Sequence, residues 1–122
     1  MSPGPIVVLV VEDEPLMRIS IADHLTDSGF DVLEAADADE AMAILANRLD
    51  IAIMFTDIDM PGSMDGLKLA AAVRDRWPPV RIVVTSGYHL VEAGQMPAGT
   101  LFFRKPYNPE TLVSAFQQIA AS

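Results

Sequence analysis

The stretch Ile6-Val7-Val8-Leu9-Val10-Val11, followed at once by Glu12-Asp13-Glu14-Pro15, decides the fold of this chain. Six consecutive apolar residues, rich in valine and isoleucine, indicate a β-strand that is buried on both faces. Such strands are typical of parallel sheets, in which helices cover both sides. The acidic residues that follow would lie at the carboxyl end of the strand, where sites form in open α/β sheets. This segment therefore predicts both an architecture and the edge of the sheet that carries a site.

Four further apolar runs extend the same pattern along the chain. The runs Ile51 to Phe55 and Ile82 to Val84 indicate two more buried strands. The runs Val32-Leu33 and Leu101 to Phe103 are shorter and flanked by charged residues, which suits the edges of a sheet. We therefore expect five strands, of which these last two are the weaker.

Helical patterns occupy the segments between these runs. The apolar stripes are Met17-Ile21-Leu25, Ala41-Ile44-Leu45, Leu69-Val73-Trp77 and Leu112-Ala115-Phe116-Ile119. Asp37 and Glu40 form a capping box before the second stripe, and Asn108 with Pro109 marks the start of the last. Between Tyr88 and Gly99, the glycines and Pro97 permit only a short or irregular fourth helix. The alternation of strand and helix predicts an α/β fold, a doubly wound parallel sheet with helices on both faces, and one domain over residues 1–122.

Composition narrows the class of protein. The 17 acidic and 8 basic residues give a formal net charge of -9, which argues against nucleic acid and anionic membranes as partners. The absence of cysteine excludes disulfides and zinc–thiolate sites. No apolar run approaches the ~20 residues that span a bilayer, and the N-terminus lacks the regions of a signal peptide. We therefore expect a soluble, cytoplasmic protein.

Polar side chains follow the strong strands and the last strand. They are Glu12 and Asp13 after the first, Asp57 and Asp59 after the third, Ser86 after the fourth and Lys105 after the fifth. A parallel sheet brings all of these positions to one rim, where neighbouring carboxylates must either raise their pKa values or bind a cation. Oxygen ligands without histidine or cysteine favour a hard ion such as Mg²⁺. With a lysine and a hydroxyl alongside, such a rim suits a phosphoryl group, for which a carboxylate can be the nucleophile.

Each of these residues also has a purely structural interpretation. Asp13 before Pro15 could cap a helix, and Asp57 and Asp59 could be turn residues before Pro61-Gly62. Lys105-Pro106 could be a turn with a surface lysine. The combination in the correct strand order favours a functional site over these separate explanations.

The sequence resembles the response-regulator receiver domain of two-component signalling over nearly its whole length. The motifs that carry the resemblance are Val10-Val11-Glu12-Asp13-Glu14-Pro15, Thr56-Asp57-Ile58-Asp59-Met60-Pro61, Val83-Val84-Thr85-Ser86-Gly87 and Phe102-Phe103-Arg104-Lys105-Pro106. The resemblance implies a flavodoxin-like (βα)5 receiver fold with sheet order 2-1-3-4-5. It implies a stand-alone phosphoacceptor, monomeric or weakly dimeric, rather than an enzyme with turnover. The partners would be a sensor histidine kinase or phosphotransfer protein and a downstream protein target that the sequence does not name.

The resemblance also implies a role for each matching residue. Asp57 would accept the phosphoryl group, Lys105 would pair with a phosphoryl oxygen, and the bond from Lys105 to Pro106 would be cis. Mg²⁺, or Mn²⁺, would be held by Asp13 and Asp57, by Glu12 through water, and by the backbone carbonyl of Asp59. Ser86 and Phe102 would form the switch that responds to phosphorylation.

Two features depart from the usual receiver pattern. Gly66 follows Pro61 by five positions rather than four, and the span from Ser86 to Lys105 is short. Asp59 and Tyr88, two residues past Asp57 and Ser86, are hypothesised to influence the lifetime of the phosphoaspartate.

Two other functions remain open from the sequence. The segment Asp57-Ile58-Asp59 resembles the motif of haloacid-dehalogenase-like phosphatases, although an acidic strand precedes it here and no room is left for a cap. The same fold could also serve as a phosphorylation-independent interaction module, although such a module has no need of the acids and the lysine.

Overall fold

The computed structural model describes residues 4–60, 64–87 and 96–121. The elements are β1 (Val7–Val11), α1 (Pro15–Asp27), β2 (Asp31–Ala35), α2 (Ala38–Asn47), β3 (Ile51–Asp57), α3 (Gly66–Arg76), β4 (Arg81–Ser86), β5 (Leu101–Arg104) and α4 (Pro109–Ala121). All strand pairs are parallel, and the sheet order is β2-β1-β3-β4-β5. The predicted α/β fold and its strand order are confirmed.

The sheet has an apolar core on each face, because the buried strands alternate their side chains between the two sides. Val8, Val10 and Phe55 face the core that contains Leu112 and Phe116 of α4. On the opposite face the core consists of strand residues together with residues of α2 and α3: Leu9, Val11, Met54, Ile82, Leu45 and Leu69. All five residues of β1 are buried, whereas β2 and β5 are largely half-buried or exposed, as expected for edges.

Helix starts are fixed by side-chain caps. The carboxylate of Glu14, not that of Asp13, accepts the Met17 N–H at 2.7 Å and caps α1. The predicted cap at Asp37 is confirmed by its 2.8 Å bond from the Glu40 N–H. At the start of α4, the Asn108 side chain accepts the Glu110 N–H at 2.9 Å. The cap at Glu14 leaves the Asp13 carboxylate available at the rim.

Two expectations about the helices need comment: the buried face of α1, and the short helix expected between Tyr88 and Gly99. The buried face of α1 is Ile21, Ala22 and Leu25, and Met17 is 37% exposed, so Met17 lies outside the core in which its stripe placed it. Most of the short helix expected between Tyr88 and Gly99 falls on residues 88–95, which are outside the described residues. Its described end, residues 96–100, is a turn in which Thr100 N–H donates to the Pro97 carbonyl at 3.2 Å. Within the described ranges, no helix combines the length and the apolar character that crossing a membrane requires.

Candidate functional site

Strand register brings the predicted site residues to one rim of the sheet. Val11 pairs with Thr56, and Asp57 pairs with Thr85, so β1, β3 and β4 end at nearly the same level. Ser86 in turn pairs with Arg104, which places Lys105 just beyond the end of β5. Arg18 of α1 donates from Nη1 to the Glu12 carbonyl at 2.9 Å and holds that helix against the rim. Residues that are distant in sequence therefore meet here.

A lysine and two carboxylates form the centre of the site. Lys105 Nζ donates to Asp57 Oδ2 at 2.8 Å and to Glu12 Oε1 at 3.1 Å. Glu12 and Asp57 are each only 4% exposed, so water screens their charges poorly. The pKa of Glu12 is raised to about 7, first by burial and then by the charge and hydrogen bond of Asp57, which outweigh the lowering by Lys105. Burial opposes the charge on Lys105, but hydrogen bonds to Asp57 and Glu12 outweigh it and raise the pKa of Lys105 to about 12.

Three carboxylates are close enough to hold one metal ion. Oxygen atoms of Glu12, Asp13 and Asp57 lie within 4.8 Å of one another, and Asp13 is accessible to solvent. When all three are ionised, their charge exceeds that of Lys105, so a divalent cation would relieve the repulsion. The donor set consists of carboxylate oxygens, which fits Mg²⁺ or Mn²⁺. The residues present therefore fit the expected ion.

Asp59 contacts the site through both its backbone and its side chain. The Asp59 N–H donates to Asp57 Oδ1 at 3.0 Å. The Asp59 side chain turns towards Ser86, whose Oγ donates to Asp59 Oδ2 at 2.7 Å, and the Gly87 N–H reaches the same oxygen at 3.3 Å. The sequence placed Asp59 and Ser86 at one rim but gave no sign of this hydrogen bond. The expected role of the Asp59 carbonyl as a metal ligand stays a prediction.

The remaining backbone features agree with the motifs. The Lys105–Pro106 peptide bond is cis, as the resemblance implied. Phe102 pairs with Val84 on the neighbouring strand and is half-buried against the core beneath α2 and α3.

The start of α3 packs directly against the end of β3. A Cβ atom on Gly66 would lie 2.1 Å from the Asp57 carbonyl oxygen. Only glycine permits that approach.

A pocket of about 670 Å³ opens beside the acidic residues. One wall is the face of α1 that contains Met17, Ser20, Ile21 and His24, and the other is Pro106, Tyr107 and Pro109. Tyr107 packs edge-on against Phe55 with ring centroids 5.6 Å apart, and burial raises the pKa of its hydroxyl to about 12. Sequence reasoning missed these walls, because the wall from α1 combines the buried Ile21 with more exposed residues beside it, and the apolar stripe does not indicate that combination.

A doubly wound parallel sheet whose carboxyl rim carries three acids and a paired lysine is consistent with the class of phosphoacceptor signalling modules. The chain belongs to the response regulator receiver domain family, whose sequence profile matches residues 8–117. The family match gives no support to the phosphatase alternative or to the interaction-module alternative.

Similar proteins agree with this assignment. The hydrogenase transcriptional regulatory protein HoxA of Cupriavidus necator is 36% identical over 122 residues, which cover 97% of this chain and 25% of that protein. The nitrogen assimilation regulatory protein NtrX of Azorhizobium caulinodans is 36% identical over 110 residues, 87% of this chain and 24% of that protein. The chain thus spans about a quarter of the length of these curated relatives.

Solved structures resemble the chain over nearly its full length. A response regulator receiver protein from Sinorhizobium medicae has a TM-score of 0.90 at 26% identity and covers 99% of this chain and 98% of its own. The receiver domain of the hybrid histidine kinase CckA has a TM-score of 0.79 at 33% identity, covering 93% of this chain and 97% of its own.

Proposed function

We propose that Asp57 accepts a phosphoryl group from a phosphohistidine of a sensor histidine kinase or phosphotransfer protein, in a reaction that depends on Mg²⁺ or Mn²⁺. The observation that carries the proposal is the 2.8 Å contact between Lys105 Nζ and Asp57 Oδ2 inside a buried acidic cluster. A lysine that only balanced charge could do so at the surface. Here it is placed where the oxygens of a phosphoryl group on Asp57 would need a donor.

The residues of the chain orient the nucleophile. Asp57 is held at both oxygens, by the Asp59 N–H at 3.0 Å and by Lys105 Nζ at 2.8 Å. In the transfer, the phosphorus–nitrogen bond of the donor breaks and a phosphorus–oxygen bond to Asp57 forms, while the imidazole retains the electron pair and is reprotonated. A divalent cation bound by Glu12, Asp13 and Asp57 would neutralise charge on the phosphoryl oxygens. Lys105 remains charged throughout the physiological pH range, since its pKa is raised to about 12.

Signal output follows from the groups around Asp57. Ser86 would move to donate to a phosphoryl oxygen, and Phe102, which is half-buried and on the neighbouring strand, would change its packing with it. The changed surface would be read by a downstream protein, with the chain acting in the cytoplasm as a monomer or weak dimer. The module would turn over only by slow hydrolysis of its own phosphoaspartate.

Phosphorylation with a small phosphodonor tests the assignment of Asp57. The chain is incubated with the donor in Mg²⁺ or in chelator, and the intact mass is measured for the unsubstituted protein, Asp57→Asn and the control Asp75→Asn. Asp75 is exposed on α3, so its substitution removes the same charge outside the site. We expect one phosphoryl group per chain in Mg²⁺ for the unsubstituted and control proteins and none for Asp57→Asn. Labelling that persists in Asp57→Asn would overturn the proposal.

A further inference from the structure

The hydroxyl group of Ser86 is already engaged by a carboxylate. Ser86 is fully buried, and its Oγ donates to Asp59 Oδ2 at 2.7 Å. A serine hydroxyl carries one proton, so it donates one hydrogen bond at a time. While that proton is directed at Asp59, it is not directed at any other acceptor.

The same aspartate is fixed from two further directions. Its backbone N–H donates to Asp57 Oδ1 at 3.0 Å, and its Oδ2 also receives the Gly87 N–H at 3.3 Å. The Asp59 carboxylate is therefore a good acceptor in a restrained position, and its bond from Ser86 is of the short, charge-assisted kind.

We propose that Asp59 is a positioning residue that holds Ser86 in the unswitched state, because its carboxylate competes with a phosphoryl group on Asp57 for the single Ser86 proton. The inference rests on the proposed function of Asp57. In the switch, the hydrogen bond from Ser86 to Asp59 Oδ2 is exchanged for one to a phosphoryl oxygen, and no covalent bond changes. After the exchange, the Asp59 carboxylate still accepts the hydrogen bond from the Gly87 N–H.

A simpler effect of Asp59 has to be separated from this one. A carboxylate two residues from Asp57 would repel an anionic phosphoryl group through its charge alone, whatever Ser86 does. Charge repulsion acts equally with and without the Ser86 hydroxyl, whereas competition for the proton exists only when that hydroxyl is present. A double-mutant cycle between Asp59 and Ser86 therefore distinguishes the two.

The experiment measures the affinity of beryllofluoride, a stable mimic of the phosphoryl group, by calorimetry in saturating Mg²⁺. The proteins are the unsubstituted chain, Asp57→Asn, Asp59→Ala, Ser86→Ala and the double variant of Asp59 and Ser86, with the affinity for Mg²⁺ measured separately for each. Asp59→Asn is the matched control, since it removes the same charge as Asp59→Ala but keeps an oxygen that can accept from Ser86.

We expect Asp59→Ala to raise the affinity for beryllofluoride in both backgrounds, and the fold-increase to be about ten times larger when Ser86 is present than in the Ser86→Ala background. A tenfold difference corresponds to the contribution of one hydrogen bond to a charged group. We also expect Asp59→Asn to gain less affinity than Asp59→Ala. Equal factors in the two backgrounds, with beryllofluoride binding intact, would overturn the inference and leave the role of Asp57 standing. If the unsubstituted chain showed no binding that depends on Asp57, the proposed function and the inference would both fall.

Discussion

Replacing Glu12 by glutamine is expected to stabilise the metal-free protein at alkaline pH and to leave its stability almost unchanged near pH 5. Glu12 is 4% exposed, and burial together with the charge of Asp57 raises its pKa from 4.5 to about 7. Between those two pH values the folded chain holds a proton on Glu12 that the unfolded chain has lost. The free energy of unfolding therefore falls as pH rises through this window, and the loss is complete above about pH 7.

The magnitude follows from the width of that window. Each pH unit between 4.5 and about 7 costs about 1.4 kcal/mol, so full ionisation of Glu12 costs the fold about 3 kcal/mol. Glutamine keeps the shape of the neutral acid without the ionisation. At pH 8 the variant should therefore be more stable by up to about 3 kcal/mol, which in a domain of this size corresponds to roughly 10 °C in Tm. The raised pKa of Lys105 acts only above 10.5 and does not interfere.

Urea unfolding in chelator at pH 5, 6, 7 and 8 measures the effect. The control is Asp23→Asn, which removes a charge from an exposed position on α1. We expect the difference between Glu12→Gln and the unsubstituted chain to grow across this series, and the difference for the control to stay flat. A difference that is the same at pH 5 and pH 8 would refute the reasoning that Glu12 is protonated in the fold.

Two further predictions concern the backbone contact at α3 and the lysine. Gly66→Ala is expected to cost about 3 kcal/mol or more of unfolding free energy, because its Cβ would lie 2.1 Å from the backbone oxygen of Asp57. The control Gly29→Ala should cost about 1 kcal/mol, because its Cβ meets no atom within 4 Å and only the positive φ of that position is unfavourable. Equal losses of unfolding free energy for the two variants in urea would contradict this expectation. Lys105→Met is expected to weaken beryllofluoride binding at least tenfold without weakening Mg²⁺ binding, because Lys105 donates to the anion and competes with the cation for the Asp57 carboxylate. The control Lys68→Met changes an exposed residue of α3 and should leave the affinities for both ligands unchanged. A parallel loss of Mg²⁺ affinity in Lys105→Met would contradict the role of Lys105 as the donor to the phosphoryl group.

The sheet was predictable because a strand that is buried on both faces appears in the sequence as an uninterrupted apolar run. Every residue of β1 is buried, and the run from Ile6 to Val11 contains no polar residue that could mark a solvent face. Once the strands are placed, parallel pairing brings their carboxyl ends to one rim, so the topology places Glu12, Asp57 and Lys105 on the same edge of the sheet.

Details of the site depend on side-chain directions that the sequence pattern does not contain. Glu14 rather than Asp13 caps α1, and the choice between near neighbours depends on how the backbone turns after β1. The bond from Ser86 to Asp59 joins residues 27 positions apart, and either side chain could have pointed elsewhere without changing the apolar pattern. Met17 illustrates the same limit, since its spacing matches the buried stripe while its position lies at the pocket.

The triangle of Lys105, Asp57 and Glu12 has a consequence for how the chain is built up. The lysine lies 48 residues after Asp57 and 93 after Glu12, so the counter-charge is the last of the three to be synthesised. Until then, pairing of β1 with β3 brings two carboxylates together, and their repulsion opposes the apolar contacts and backbone hydrogen bonds that favour the pairing. Addition of β5 at the edge of the sheet supplies the missing positive charge. The last strand therefore completes the sheet and also brings Lys105 to the rim, where its charge relieves the repulsion between Glu12 and Asp57.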